Sequence, residues 1–316
     1  MLLALLTTFG IRAQYTLVAT LSHDGNITTF YSSNALIEAH QAAVDGDIIT
    51  LSSGSFTACD ITKNVTVRGA GMILEESPTI LTGRFKIQIP TSTTSEYHVT
   101  LEGMYINAVM SVCDITNLNF VKCWFNAGVS ASTGYTEINN YSMFHCVVAS
   151  SLRLNNSKIS GTIYNSYIND PHCYNAQFIN SVININGSTV PFNTCSLTNC
   201  VITDFSTSRS TALGQECPAI YCVYKGSATN FFRYQPSPTN RAYSVETEIF
   251  KDGTIYELLD EYKGSWIGND NTQIGMYGGS WPFDPTTTNP RITKFNVAKK
   301  TTADGKLPVE IEVKAN

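Results

Sequence analysis

The sequence predicts an all-β chain wound into a parallel β-solenoid, on three observations. A short pattern keeps returning between about Val99 and Tyr224, its copies stand in the frame of a strand, and Asn, Ser and Thr crowd the stretches between them. The pattern is an apolar residue, two others, then Cys, Ser or Met as a marker, one outward residue and a second apolar residue. Its copies centre on Met104, Cys123, Cys146, Ser157, Ser166, Ser181, Cys200 and Cys222. Leaving out Ser157, an extra copy inside one step, the markers are spaced by 19, 23, 20, 15, 19 and 22 residues. A recurring unit of that length is a repeat architecture. Side chains along a strand alternate with period two, so the marker and the second apolar residue share a face. Stacked coils then bury a column of Cys, Ser and Met beside a column of Ile, Val, Phe and Tyr, each coil covering its neighbour's core. Leucine-rich repeats have a similar period, but the copies lack a Leu-x-x-Leu-x-Leu spine and a regular helical half.

From the start of the chain, Met1 to Ala13 is an apolar run closed by a small residue, the layout of a secretory signal peptide. A buried first strand is the alternative, because about ten apolar-rich residues are too few to span a bilayer. The expected mature chain is exported and soluble, with no transmembrane segment: secreted, periplasmic or at the cell surface. Its 316 residues, 43% hydrophobic, are enough for a large core, and a solenoid of this length counts as one domain. Charged residues make up 14%, the net charge is −5 and the pI is near 5.5, a balance that argues against nucleic acid or an anionic membrane as partner. Asn34 to Asp47 carries an N-cap candidate, apolar residues at 36, 37, 39, 43 and 44, and Gly46 as a stop, so a short amphipathic helix is expected there. It leads into Ile48 to Leu51, Gly54 to Phe56, Ile61 and Val65 to Gly69, the first coils, and would cover the open end of the stack.

The run from Ala35 to Phe56, with Ala43-Val-Asp-Gly46-Asp47-Ile-Ile-Thr-Leu51 and then Gly54-Ser-Phe56, resembles the N-terminal cap and first coil of the pectin-lyase-like right-handed parallel β-helix superfamily. Phe56 stands where that pattern has Tyr. A second stretch, Ile255-Tyr-Glu-Leu258 through Trp266-Ile-Gly268 to Gln273-Ile-Gly275-Met-Tyr-Gly278-Gly279, is similar to the last coil of many secreted bacterial β-helix proteins. The resemblance covers about residues 30 to 280 and implies a right-handed parallel β-helix of eight or nine coils with a short N-terminal capping helix. Expected boundaries are 1–13 for the signal peptide, 14–280 for the capped β-helix and 281–316 for a linker and C-terminal β-hairpin. Trp281-Pro-Phe-Asp-Pro285 and Asn289-Pro290 supply the linker signals. Arg291 to Val297 and Leu307 to Val313 alternate as two strands around a turn at Gly305, and they are expected to cover the C-terminal end of the solenoid.

For function, the resemblance implies either proton abstraction from acidic polysaccharides by a Lys or Arg base with carboxylate-bound Ca²⁺, or hydrolysis by paired carboxylates. The sequence gives little support to either. Of the 137 residues from Gln88 to Tyr224 only eleven are charged, or 8%. The Asn-Thr-Asp, Asp-Asp and Gly-His-Gly signatures of the family's hydrolases are missing, as are its basic lyase motifs. The residues to test first for a lyase are Lys122, Arg153 and Lys158, with Asp170; a solvated surface charge is the alternative for each. His145 and His172 have no visible partner. Nine cysteines in an exported chain leave at least one unpaired if all bridges are internal. Exchange of Cys with Ser at the markers favours buried free thiols as small filler, with a 123–146 or 200–222 bridge as the alternative, and no spacing suits a metal.

Asn156, Asn165, Asn180 and Asn199 before the markers, and Asn107, Asn126, Asn169 and Asn184 three after them, suit amide ladders at the turns. Outward positions just after the markers include Tyr105, Trp124 and Tyr167, rings able to stack on sugars if the face is open, or simply packed if loops or the hairpin cover it. The expected protein is thus an exported, non-catalytic β-helix binding glycan or another surface partner, without a cofactor. A polysaccharide lyase or glycoside hydrolase, with Ca²⁺ in the lyase case, is the alternative.

Overall fold

A computed structural model of the chain describes residues 17–89, 98–131, 137–185, 192–204, 213–226, 228–234, 236–244, 247–288, 291–297, 300–302 and 304–314. The expected signal peptide lies outside the described residues. The repeats stack as a parallel β-solenoid. Each full coil passes through up to three short strands, and each strand pairs in parallel with its equivalent in the next coil. One inward column, Phe56, Leu81, Ile106, Phe125, Val148, Ile168, Ile183, Ile202 and Tyr224, runs in register through nine coils. All nine side chains are buried in one continuous core.

The markers form the neighbouring column. Met104 pairs with Cys123, and the residues that follow the markers stay in register from Trp124 through Val147, Tyr167, Val182 and Val201 to Val223. Every marker from Met104 to Cys222 has no exposed surface, except Ser157. Ser157 is exposed in the turn between Leu152–Leu154 and Ile159–Tyr164, so it is not a copy of the repeat. The apolar residues around it mimic the pattern, but two strands of different sheets meet there.

A backbone feature explains the choice of marker. The residue before each one is left-handed: Gly103, Lys122, His145, Asn165, Asn180, Asn199 and Tyr221 have φ between 44° and 65°. That conformation turns the corner between two sheets, and Asn tolerates it better than most residues. The corner brings the marker side chain back onto the carbonyl two residues earlier. Cys123 donates to Val121 O at 3.4 Å, Ser166 to Tyr164 O at 2.6 Å, Ser181 to Ile179 O at 2.9 Å and Cys200 to Thr198 O at 3.2 Å. The column therefore wants a small side chain that can also donate, which Cys and Ser share. All nine cysteines are free and eight are buried, as buried free thiols were expected; neither alternative bridge, 123–146 or 200–222, forms, and burial pushes the Cys146 thiol up to about 12.

At the N-terminal end, Val18–His23 pairs antiparallel with both Asn26–Tyr31 and the first-coil strand Ile48–Leu51, an extension not foreseen from the sequence. The helix is Ala35–Ala42 and buries Ala35, Leu36, Ala39 and His40. It stops short of Gly46 because Ala43 turns extended, and Lys63 Nζ takes the freed carbonyls of His40, Gln41 and Ala43 at 2.6–2.8 Å. After Tyr224, Phe231 and Phe232 pack on its ring, and Arg241–Tyr243 adds a final rung. Arg291–Val297 and Val309–Lys314 make a two-stranded antiparallel sheet of their own. Among the described residues no helix is long and apolar enough to cross a membrane.

Two substitutions check the packing. A Cβ on Gly161 would lie 2.3 Å from the Tyr141 ring, which fills the space over it. Gly161→Ala is expected to lose about 2 kcal/mol in urea unfolding, as overpacking does. Cys146→Ser keeps the donor and is expected to stay within about 1 kcal/mol of the parent.

Candidate functional site

Residues 249–288 follow the last rung at Arg241–Tyr243. They fold back along the solenoid, and their course fixes which surfaces are available. Ile249, Leu258, Trp266, Ile274, Met276 and Phe283 bury the outward face formed by Val147, Tyr167, Val182, Val201 and Val223. The left-handed corner residues hold the same segment by their side chains, coil after coil. Asn199 donates to Asn269 Oδ1 at 2.8 Å and to Asn180 Oδ1 at 3.0 Å, and accepts the Asn269 N–H. Asn165 donates to the carbonyls of Met276 and Gly278 at 3.0 and 2.7 Å. One coil nearer the N-terminus, His145 Nε2 lies 2.9 Å from Trp281 O and Nδ1 accepts the Asp284 N–H, which fixes a neutral tautomer. Lys122 follows with Asp284 at 3.2 Å and Thr286 O at 2.6 Å, and Glu102 takes the Thr288 hydroxyl and Arg68 Nε. The strap thus runs antiparallel to the stacking and ends beside Glu102, six coil steps before Ile220. The strap's last described residues, Thr287 and Thr288, lie beside Gly103 and Glu102.

This arrangement settles where the sequence-selected residues lie. Tyr105 and Tyr167 are 9% and 6% exposed, and Trp124 is half-buried. Tyr167 stacks on Tyr256 of the strap at 3.7 Å, and Tyr105 on Trp124 at 6.1 Å. Tyr167 is packed under the strap and Trp124 packs against the same cluster, while Tyr105 is buried beside Trp124. Four valines on this face would otherwise meet water, at about 25 cal/mol for each Å². Lys122 is consumed by the strap, with a side chain 9% exposed. Arg153 and Asp170 come together as an ion pair, and His172, the register neighbour of Arg153, sits 3.4 Å from Asp170. Lys158 is exposed in the Ser157 turn. Among the described residues no three His, Cys, Asp or Glu side chains gather as a metal site.

A different face stays open. Two residues before each marker, on the strand leading into the corner, Val121, Phe144, Tyr164, Ile179, Thr198 and Ile220 form an outward column in register. Tyr164 is 37% and Ile220 42% exposed, and the others are half-buried. Two residues further back runs a polar column, Thr100, Asn119, Ser142, Thr162, Gln177 and Ser196. Ser142 donates to Asn119 Oδ1 at 2.7 Å, so part of this column is pre-ordered. The strap borders the apolar column on its other side, where Trp281 is 70% exposed. The sequence held the signal: Phe120-Val121, Met143-Phe144, Ile163-Tyr164 and Phe178-Ile179 are adjacent apolar pairs, and a strand cannot turn both members inward. Chemically this strip offers flat apolar area beside hydrogen-bonding groups, with no ionised side chain in either column. Comparison with family models, with curated proteins and with solved structures returned no match.

The strap's anchoring is open to direct test. Asn165→Gly loses two hydrogen bonds but keeps the left-handed corner; Asn165→Ala loses both bonds and strains the backbone. The expected losses are about 2 kcal/mol for Gly and about 1 kcal/mol more for Ala. Burial, with help from Lys122, holds His145 below the ordinary imidazole value of 6.5. The unfolded chain therefore binds this proton first, and stability should fall as pH drops below about 6.5 until native His145 also protonates. His145→Gln should flatten that part of the stability profile; an unchanged slope would show that His145 is not its source.

Proposed function

We propose that this chain is an exported, non-catalytic β-helix protein of the pectin-lyase-like kind that binds glycan at the cell surface or in the periplasm. In this reading the helix is wound right-handedly, as parallel crossovers almost always are, and Ala35–Ala42 covers its first coil. The observation that carries the binding role is the open strip from Val121 to Ile220 beside its hydroxyl and amide column. Sugars present apolar ring faces and hydroxyl edges, and the strip offers a partner for each. The non-catalytic part rests on the fate of the charged groups. A base or acid must be free and tuned toward neutrality, whereas Lys122 is held under the strap by Asp284 and Thr286.

One observation favours the second reading, a polysaccharide lyase or glycoside hydrolase. Arg153, Asp170 and His172 place a cation, a carboxylate and an imidazole together on one half-exposed face. Both readings meet in one experiment. A panel of neutral and acidic glycans, scored for binding and for release of unsaturated or reducing ends, is expected to show binding without turnover. Tyr164→Ala or Phe144→Ala should weaken binding about tenfold, or about 1.4 kcal/mol. Turnover lost in Arg153→Ala or Asp170→Asn would replace this reading with the enzyme.

A further inference from the structure

Resting on the glycan reading, we infer that the ligand of the open strip is a neutral, ribbon-like polysaccharide lying along the solenoid axis. Charge argues for the neutrality. From Val121 to Ile220 and from Asn119 to Ser196 the two columns contain no Asp, Glu, Lys, Arg or His. The ionised groups around them are at the edges, where Glu102, Asp270 and Asp284 outnumber Arg68 and Lys122. Both cations are already engaged by carboxylates, Arg68 by Glu102 and Lys122 by Asp284. Among the described residues at the strap edge, a polyanionic chain would meet these paired cations and a rim of net negative charge, which repels it. The acidic polysaccharides cleaved by the enzymes this chain resembles are therefore the wrong class.

Geometry argues for the ribbon and its direction. The apolar and polar columns run parallel along the stacking axis and lie roughly 6.6 Å apart, two residues along each strand. A ligand satisfying both must show an apolar face and a hydroxyl edge side by side, repeated along its length. An extended sugar chain aligned with the axis does so; one laid across the coils would meet each column only once. Five coil steps separate Val121 from Ile220, about 24 Å at the spacing of paired strands.

The test uses the full chain with cello-, xylo- and malto-oligosaccharides of increasing length, and oligogalacturonates of the same lengths as acidic probes, followed by calorimetry. At least one neutral series is expected to gain affinity with each added sugar and to level off once it spans about 24 Å. Oligogalacturonates are expected to bind at least tenfold more weakly. Ile179→Lys, a half-buried outward position, should weaken the neutral series and strengthen the acidic one, while Val109→Ala on another face should change neither. Equal or tighter binding of oligogalacturonates, or affinity independent of length, would overturn this inference and leave glycan binding standing. No binding in any series would remove both.

Discussion

The left-handed corner before each marker is the constraint on which the rest of the molecule depends. A coil must turn between sheets without losing register with its neighbours, and one residue in the left-handed region does this at each level. Its consequences reach in three directions. Inward, it brings the next side chain over a carbonyl, which selects Cys or Ser. Along the stack, it favours Asn, whose amides link one coil to the next. Outward, it aims six successive side chains, from Lys122 to Tyr221, at one edge of the solenoid, where most of them are taken up by a single returning segment.

That segment decides which face can do anything. Both outward columns flanking the corner are apolar enough to need explanation, and the strap covers only one of them. Covering the valine-rich column removes the larger loss to water, while the column before the corner keeps Phe144, Tyr164, Ile179 and Ile220 at the surface. The residues with the strongest chemistry follow the same division. Lys122 and His145 sit at corners, so their hydrogen-bonding capacity goes into holding the strap. Arg153, Asp170 and His172 belong to the third sheet, which the strap does not reach, and there they pair with one another.

How much of this was legible follows from what is periodic. The markers, the inward apolar column and the helix leading into Ile48–Leu51 repeat or match a local pattern, so they can be read directly. The hairpin from Arg291 to Lys314 also shows, because its strands are neighbours in sequence with a glycine turn between them. The strap does not show. Its contacts at Asn269, Met276, Gly278, Trp281, Asp284 and Thr288 are spread over successive coils, through backbone carbonyls as often as side chains, and they follow no sequence repeat. Without the strap in view, Tyr105, Trp124 and Tyr167 read as an open face. Ser157 misled for the opposite reason: it fits the pattern, but a turn of two asparagines and a lysine puts it in solvent. The candidate site was half legible, since adjacent apolar pairs such as Ile163-Tyr164 reveal an outward apolar residue but not which outward face remains uncovered.

A stack in which each coil touches only its neighbours melts like a zipper, from either end, because losing one terminal unit leaves the others intact. The returning segment changes this. Its bonds join residues 162, 164 and 186 positions apart, such as Lys122 with Asp284 and Glu102 with Thr288. Fraying at the last coils would detach the segment from the first ones too, so the two ends share one fate. The cross-tie makes the solenoid a single cooperative unit, at the expense of a slow closing step, since the longest loops must be shut last.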